Sequence, residues 1–496
     1  MCFVGPEPHG RLRKFLVTFN WSQAVIDPKT IKEMLYPYAD RFDTISGFPE
    51  AGLDKSEILE RIRFMSEQED KAWEGGKVSG SLYSGEHEHY RFLNECFGFF
   101  SHSNVLQRDL CPSMNIFEAE IIEMTLEMLN GDAVKAATPG HSACGVIGSG
   151  GTESILNAML GYREKARAEK KITRPNIIWP VSAHPAFTKA AHLFSIEVIR
   201  APLNDDTTVD LDFVREHINE NTIAIIGSAT NYPYGTVDDI PALSQIAIEK
   251  NVWLHVDGCL GGWILPWGQQ LGFPNIPVFD FRLPGVTSIS ADTHKYGYGL
   301  KGTSVLAWRD ASFRRYQYYI LPEWIGGKYA SPGLAGSRSG GLIAATWASM
   351  RHLGKAGYLE RAKRIFETSL AMQQVVAGHP ELKLLGKPTY CFSFNSPAFN
   401  VYHVNDFMAG RGWRFNGQQN PEAIHMCVTG PQTRDGVIDR FAADLDEAVA
   451  HARKAHPGQP RSGGMYGGGG GVDASVVPED LVLTMLLDAF TDGVPG

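Results

Sequence analysis

The feature that most constrains this chain is a series of short apolar runs, rich in Val and Ile, between residues 146 and 308. They are Val146–Gly148, Asn176–Val181, Ile196–Ala201, Thr222–Ser228, Val252–Asp257, Val286–Ala291 and Thr303–Trp308. Polar turn residues bound each run, and stretches with helical spacing lie between them, one starting at Thr152 and another over Ala186–Phe194. Runs this short and apolar throughout read as strands covered on both faces. With helices between them they form βαβ units around a mostly parallel sheet. Open sheets of this kind bind ligands at the carboxyl ends of their strands, so the residues just after each run are where chemistry is expected.

Outside this block the pattern changes. Lys55–Arg63 has helical spacing with charged faces, and Gly75-Gly76 ends that stretch. Ile116–Leu129 places Ile121, Ile122, Met124, Leu126 and Met128 among acidic residues, an amphipathic helix broken by Asn130-Gly131. Long helical stretches within Ile343–Val376 give way to short strands and helices. A chain of 496 residues is too long for one simple core. The expected division is an N-terminal segment over 1–75, a large domain over 76–345 and a small C-terminal α+β domain over 346–496. Gly463–Gly471, with Met465 and Tyr466 inside it, is the one low-complexity stretch, and its composition alone reads as a flexible surface loop.

Composition excludes several classes. A net charge of −9 argues against nucleic acid as the main partner. The 7 cysteines are dispersed without paired spacing, which reads as reduced thiols, and no CxxC or HExxH pattern points to a metal. The N-terminus has no basic-then-apolar signal layout, and no uncharged apolar run reaches the roughly 18 residues of a spanning helix. The reading is a soluble cytoplasmic protein with no transmembrane segment.

Four short segments at strand ends carry the chemistry. In Ala291-Asp292-Thr293-His294-Lys295-Tyr296-Gly297, a lysine follows a buried strand. Partial desolvation there is expected to lower its pKa and free the amine to attack an aldehyde, although the pair His294-Lys295 alone also suits a surface lysine. Asp257 ends the apolar Leu254-His255-Val256-Asp257, where a buried carboxylate needs a partner. A protonated pyridine nitrogen would supply one and would stay cationic as an electron sink; a plain turn cap is the alternative. His255 shares the same strand face and reads as structural. Ser149-Gly150-Gly151-Thr152-Glu153-Ser154 lies between strand and helix, where backbone N–H groups suit a phosphate, although Ser149 or Thr152 as an ordinary N-cap also fits. His184, in Ser182-Ala183-His184-Pro185, stands where an imidazole stacks on a ring. Lysine, ring-nitrogen carboxylate and phosphate loop along one sheet edge together point to pyridoxal 5'-phosphate (PLP).

The order SGGTES, SAH, HVDxCLGG and SISADTHKYG resembles the sphingosine-1-phosphate lyases, in the group II decarboxylase branch of PLP enzymes. The likeness runs from about Lys77 to Gly341 and includes Lys301-Gly302-Thr303-Ser304 and Ala335-Gly336-Ser337-Arg338. It implies an α/β, PLP-dependent transferase fold of type I and a homodimer with shared active sites, acting on a phosphorylated lipid. It also implies roles. Gly151, Thr152 and His294 would hold the cofactor phosphate, with Ser337 reaching over from the other subunit. Lys295 would carry the cofactor as a Schiff base, Asp257 would pair with its ring nitrogen and His184 would stack on the ring. Tyr83, Asn104, Gln107 and Lys301 would face the substrate, and Tyr466 would lie near the reacting carbons. The glycine-rich stretch would then be an active-site loop. The implied reaction is a retro-aldol cleavage of the C2–C3 bond, giving a long-chain aldehyde and phosphoethanolamine, with Tyr466, Lys301, His184 or the substrate phosphate as base.

Three positions depart from the family pattern. Gln107-Arg108 stands where the family reads His-Pro, so a substrate-phosphate ligand loses its charge unless Arg108 restores it. Gly258 replaces an alanine expected under the cofactor ring, and glycines follow Tyr466. The N-terminus fits a soluble, bacterial-type member. The alternative is a PLP-dependent decarboxylase of glutamate or an aromatic amino acid, since Asp280-Phe281-Arg282-Leu283-Pro284 is similar to bacterial glutamate decarboxylases. A non-catalytic relative would be expected to lack Lys295 or Asp257, and both are present.

Overall fold

The computed structural model describes residues 36–45, 47–454, 460, 462, 463, 483, 484, 487, 488 and 491. The apolar runs of the sequence become strands β1 (Cys144–Gly148), β2 (Asn176–Pro180), β3 (Glu197–Ala201), β4 (Thr222–Ser228), β5 (Trp253–Asp257), β6 (Val286–Ala291) and β7 (Ser304–Trp308). They form one seven-stranded sheet in the order β1-β7-β6-β5-β4-β2-β3. Only β7 runs antiparallel to its neighbours; the other pairings are parallel. Every residue of β2, β4, β5, β6 and β7 is buried, as strands covered on both faces must be. Their pleat divides the core: Ile225, Leu254 and Val305 belong to one apolar cluster, and Ile226, Trp253 and Leu306 to another.

The helices that cover the sheet start as the sequence predicts. Gly151–Lys165 follows β1 and Pro185–Phe194 follows β2. Ser113–Met128 is the amphipathic helix expected near Ile116. The long stretch Gly340–Ala377 is broken at Gly354, whose φ of 55° and ψ of −177° separate two helices. Beyond a short hairpin, β8 (Tyr319–Leu321) and β9 (Tyr329–Ser331), a second sheet appears. It consists of β10 (Lys383–Leu384), β11 (Cys391–Asn395), β12 (Asn416–Gln418) and β13 (Ala423–Cys427), antiparallel in the order β10-β11-β13-β12. Both sheets lie in one compact unit spanning Ala72–Gly467; a second unit comprises Met1–Lys71 and Gly468–Gly496 and holds most of the helix Lys55–Glu74. Among the described residues no helix is long and apolar enough to cross a membrane.

The two sheets meet at a seam beside β4. Gly235, in the loop after β4, has φ +69°, and a Cβ there would lie 1.9 Å from the carbonyl oxygen of Cys391. Thr389 Oγ1 donates to the Gly235 carbonyl at 2.8 Å, and Thr230 Oγ1 lies 3.0 Å from Tyr390 Oη. The left-handed backbone and the close approach both demand glycine. Gly235→Ala is therefore expected to cost about 2–4 kcal/mol, read as a lower urea midpoint at unchanged slope. A wild-type midpoint would contradict this packing.

Candidate active site

Parallel pairing brings the ends of β4, β5 and β6 into one row. Ser228 is the partner of Asp257, and Asp257 of Ser290. The loops beyond this edge enclose a cleft of about 440 Å³, lined by Ser149–Glu153, Ser182, His184, Thr230, Asn231, Asp257, Cys259, Asp292, His294 and Lys295. The four segments singled out in the sequence thus converge on one cavity.

Asp257 is buried, and its Oδ1 accepts hydrogen bonds from the Cys259 backbone N–H at 3.0 Å and from Ser290 Oγ at 3.2 Å. The helix Gly151–Lys165 begins at the cleft. Its N-cap position is Gly150, with no side-chain cap, so neither Ser149 nor Thr152 caps it and its first N–H groups are offered to the cavity. Glu153 instead turns back to accept from the Ser149 backbone N–H at 2.7 Å. A Cβ on Gly151 would meet Asp292 Oδ2 at 2.7 Å and Cys259 Sγ at 2.8 Å, so only glycine lets the helix start sit this close to the β5 and β6 loops. His184 is the N-cap of Pro185–Phe194, and its Nδ1 accepts from the Ala186 backbone N–H at 3.2 Å. That bond puts the ring proton on Nε2, and burial pushes the imidazole below its ordinary pKa, keeping it neutral.

Lys295 behaves differently from the sequence expectation. Burial does work against its charge, but Asp292 Oδ2 lies 2.9 Å from Nζ, and that carboxylate holds the amine well above its ordinary pKa. Desolvation loses because the counter-ion is desolvated in the same place, where attraction is strongest. His294 Nε2 is 3.8 Å from the same oxygen. Asp292 is buried, and Lys295 and His294 keep its pKa below the ordinary value against the effect of burial. The sequence reading gave Asp292 no part, although a carboxylate three residues before a lysine across a tight turn was a usable signal.

A second, smaller cavity of about 120 Å³ adjoins the first. It shares His294 and is lined by Tyr83 and Lys301. Lys301 Nζ sits 4.4 Å from the Tyr83 ring centroid. Burial and the nearby Lys295 bring its pKa down to about 8. Asn104 and Ser337 are also together, Asn104 Nδ2 donating to Ser337 Oγ at 2.9 Å, but neither lines the main cleft. Gln107 is exposed. Arg108 does not restore a charge to the cleft: its guanidinium pairs with Glu118, which also holds Arg338. Gly258 lies away from the cavity, since a Cβ there would point at the Ser290 carbonyl oxygen, 2.8 Å away. Tyr466 lies outside the described residues.

Comparison with known proteins places this geometry. Residues 54–393 match the pyridoxal-dependent decarboxylase conserved domain. The chain is 40% identical over 425 residues to sphingosine-1-phosphate lyase 1 of Rattus norvegicus, covering 86% of this chain and 73% of that protein. The solved structure of a Burkholderia pseudomallei sphingosine-1-phosphate lyase is 60% identical, superposes with a TM-score of 0.87 and covers 92% of this chain and 100% of its own. The chain belongs to the sphingosine-1-phosphate lyase family. A Lactobacillus brevis glutamate decarboxylase, at 20% identity and a TM-score of 0.71 over 86% of this chain and 99% of its own, shares the fold alone. This member of the lyase family is thus a PLP-dependent lyase with the type I fold, and the decarboxylase alternative gives way.

The residues present fit the cofactor of the family. The cleft offers a lysine amine, an uncapped helix start and a buried carboxylate. Three buried polar atoms of residues on its wall, Ser182 Oγ, Asp292 Oδ1 and His294 Nδ1, have no hydrogen-bond partner, and such atoms call for a polar ligand. The Asp292–Lys295 pair has a measurable consequence. An amine must be neutral to condense with an aldehyde, so Asp292→Asn is expected to lower the pKa of Lys295 and speed recombination of the apoprotein with PLP at pH 7 by about tenfold. Stopped-flow absorbance checks this, and an unchanged rate would mean the pair does not control the amine.

Proposed function

We propose that this chain cleaves phosphorylated sphingoid bases, sphingosine-1-phosphate among them, between C2 and C3, releasing a long-chain aldehyde and phosphoethanolamine. The observation that carries this reading is the 60% identity to the Burkholderia lyase over 92% of the chain. Lys295 would hold PLP as a Schiff base and surrender it to the substrate amine. Asp257 would keep the proton on the ring nitrogen. Gly151, Thr152 and His294 would bind the cofactor phosphate, with Ser337 contributed from the partner subunit of a homodimer. His184 would lie against the ring, its neutral Nε2–H directed by the bond that Nδ1 makes to Ala186.

When bound, PLP supplies an aldehyde for the substrate amine and a cationic ring that takes up the electron pair of the broken bond. The protein supplies the rest. A base removes the proton of the C3 hydroxyl so that the departing carbon leaves as an aldehyde. Tyr466, Lys301, His184 and the substrate phosphate are the candidates for that base. Tyr83, Asn104, Gln107 and Lys301 would face the substrate, with the large domain (76–345) carrying most of the site and the segments 1–75 and 346–496 completing the chain. A cytoplasmic location is proposed with it.

The direct test is incubation of purified protein with a phosphorylated long-chain base, with Lys295→Ala as control. Fatty aldehyde and phosphoethanolamine should form with wild type and not with the variant. A cofactor-loaded protein that makes neither product would sink the reading. Lys301 supplies a further test. With its pKa at about 8, its ammonium is charged below that pH and lost above it, so attraction for a substrate phosphate falls as pH rises. kcat/KM is expected to decline above about pH 8, and Lys301→Arg, always protonated, should push that decline to higher pH. A rise of kcat/KM through pH 8 would instead mark Lys301 as a base.

A further inference from the structure

Behind the cleft, a line of buried polar side chains runs from Asp257 into the middle of the sheet. Ser290 Oγ, which donates to Asp257 Oδ1, lies 3.4 Å from His255 Nε2. His255 Nδ1 is 2.7 Å from Ser288 Oγ, and Ser288 Oγ is 2.5 Å from the hydroxyl of Tyr162. Tyr162, His255, Ser288 and Ser290 are all fully buried, and none of them lines the cleft. The Phe187 ring packs edge-on against His255, with centroids 5.8 Å apart. Four polar groups in an apolar sheet are expensive unless each is satisfied, so the line calls for a reason beyond packing.

Counting protons gives it a direction. A hydroxyl has one proton to donate, and a carboxylate only accepts. Ser290 spends its proton on Asp257, so its other neighbours must donate to it: His255 Nε2, and Cys259 Sγ at 3.1 Å. The imidazole proton is therefore on Nε2, which leaves Nδ1 to accept from the Ser288 hydroxyl, and Tyr162 Oη, which also lies 2.7 Å from Thr287 Oγ1, closes the line beside Ser288. Burial pushes His255 down to about 4, so the ring is neutral and has only one proton to place. From Ser288 onward the donors point toward Asp257. A network polarised this way fixes the Ser290 hydroxyl on Asp257 Oδ1 and with it the direction of the carboxylate. The titratable groups that feel Asp257 are His184 from the loop after β2, His255 on its own strand and Cys259 just beyond it, with Asp292 and Lys295 across the same cleft.

We propose that His255 is a positioning residue for the reaction: its imidazole, held in the Nε2–H form by Ser288, commits the Ser290 proton to Asp257 and keeps that carboxylate aimed into the cleft. This rests on the reading that Asp257 pairs with the cofactor's ring nitrogen. His255 touches neither cofactor nor substrate and acts through Ser290 and Asp257.

The test uses holoenzymes without substrate, comparing wild type, His255→Phe, His255→Gln, Ser290→Ala and Asp257→Ala. Two quantities are read: the visible absorbance of bound PLP against pH, and the PLP dissociation constant. His255→Phe and Ser290→Ala should each move the titration midpoint by about one pH unit toward the Asp257→Ala value and weaken PLP binding about tenfold. His255→Gln keeps one donor and one acceptor and should restore both to within about twofold. Ser290→Ala removes only a hydroxyl, so it still reports if His255→Phe does not fold. If Asp257→Ala is altered while His255→Phe and Ser290→Ala match wild type, the relay is overturned and the role of Asp257 stands. If Asp257→Ala itself matches wild type, the ring-nitrogen reading falls, and the relay with it.

Discussion

The site depends on a carboxylate that the sheet buries. Asp257 ends a strand whose every residue is covered, where a carboxylate without donors would be costly. It is tolerated because parallel pairing sets it between Ser228 on β4 and Ser290 on β6, and because Ser290 and the Cys259 backbone N–H both donate to it. The register of three strands is thus also the orientation of one oxygen pair. A slip by one residue would turn Asp257 to the opposite face of the sheet and disconnect it from both donors.

A second buried carboxylate, Asp292, stands close by and has different neighbours. It meets Lys295 at 2.9 Å, whereas Asp257 is held by neutral donors. Two acidic groups in one cleft are thereby given separate work: one neutralises a lysine, and the other is left to face a ligand. The glycine at 151 is part of the same arrangement, because any side chain there would strike Asp292 and Cys259 together. Helix start, anion and lysine turn are a single packed unit, which is why they share so little free volume. Lys301 lies outside that unit, beside Tyr83, and the positive charge of Lys295 reaches it without an equal carboxylate to offset it.

Much of this was legible in the chain. The strands Thr222–Ser228 and Val286–Ala291 carry the limits that their apolar runs suggested, because a fully buried strand leaves an unbroken apolar record. Lys295, Asp257, Gly151 and His184 converge because each follows such a run and the sheet brings the carboxyl ends together. What escaped was directional. Arg108 looked able to supply a charge, yet Glu118, ten residues on, captures it in a pairing shared with Arg338. Gly258 looked like a position under a ring, yet its missing side chain faces β6. His255 read as structural, and only the contacts to Ser288 and Ser290 give it a link to the site.

Sequence by itself determined the class of fold, the edge at which chemistry occurs and the residue types available there. Those follow from local patterns: apolar run length, turn residues, and a lysine or an aspartate set just past a strand. Tertiary structure alone decided the state of those groups. Whether Lys295 is a free amine or an ion pair depends on Asp292 folding back across a turn. How Asp257 is oriented depends on hydroxyls and an imidazole from two strands and a helix, with Tyr162 well removed in sequence from Ser288. A pKa or a hydrogen-bond direction is set by the few ångströms around an atom, and those distances exist only once the strands are in register.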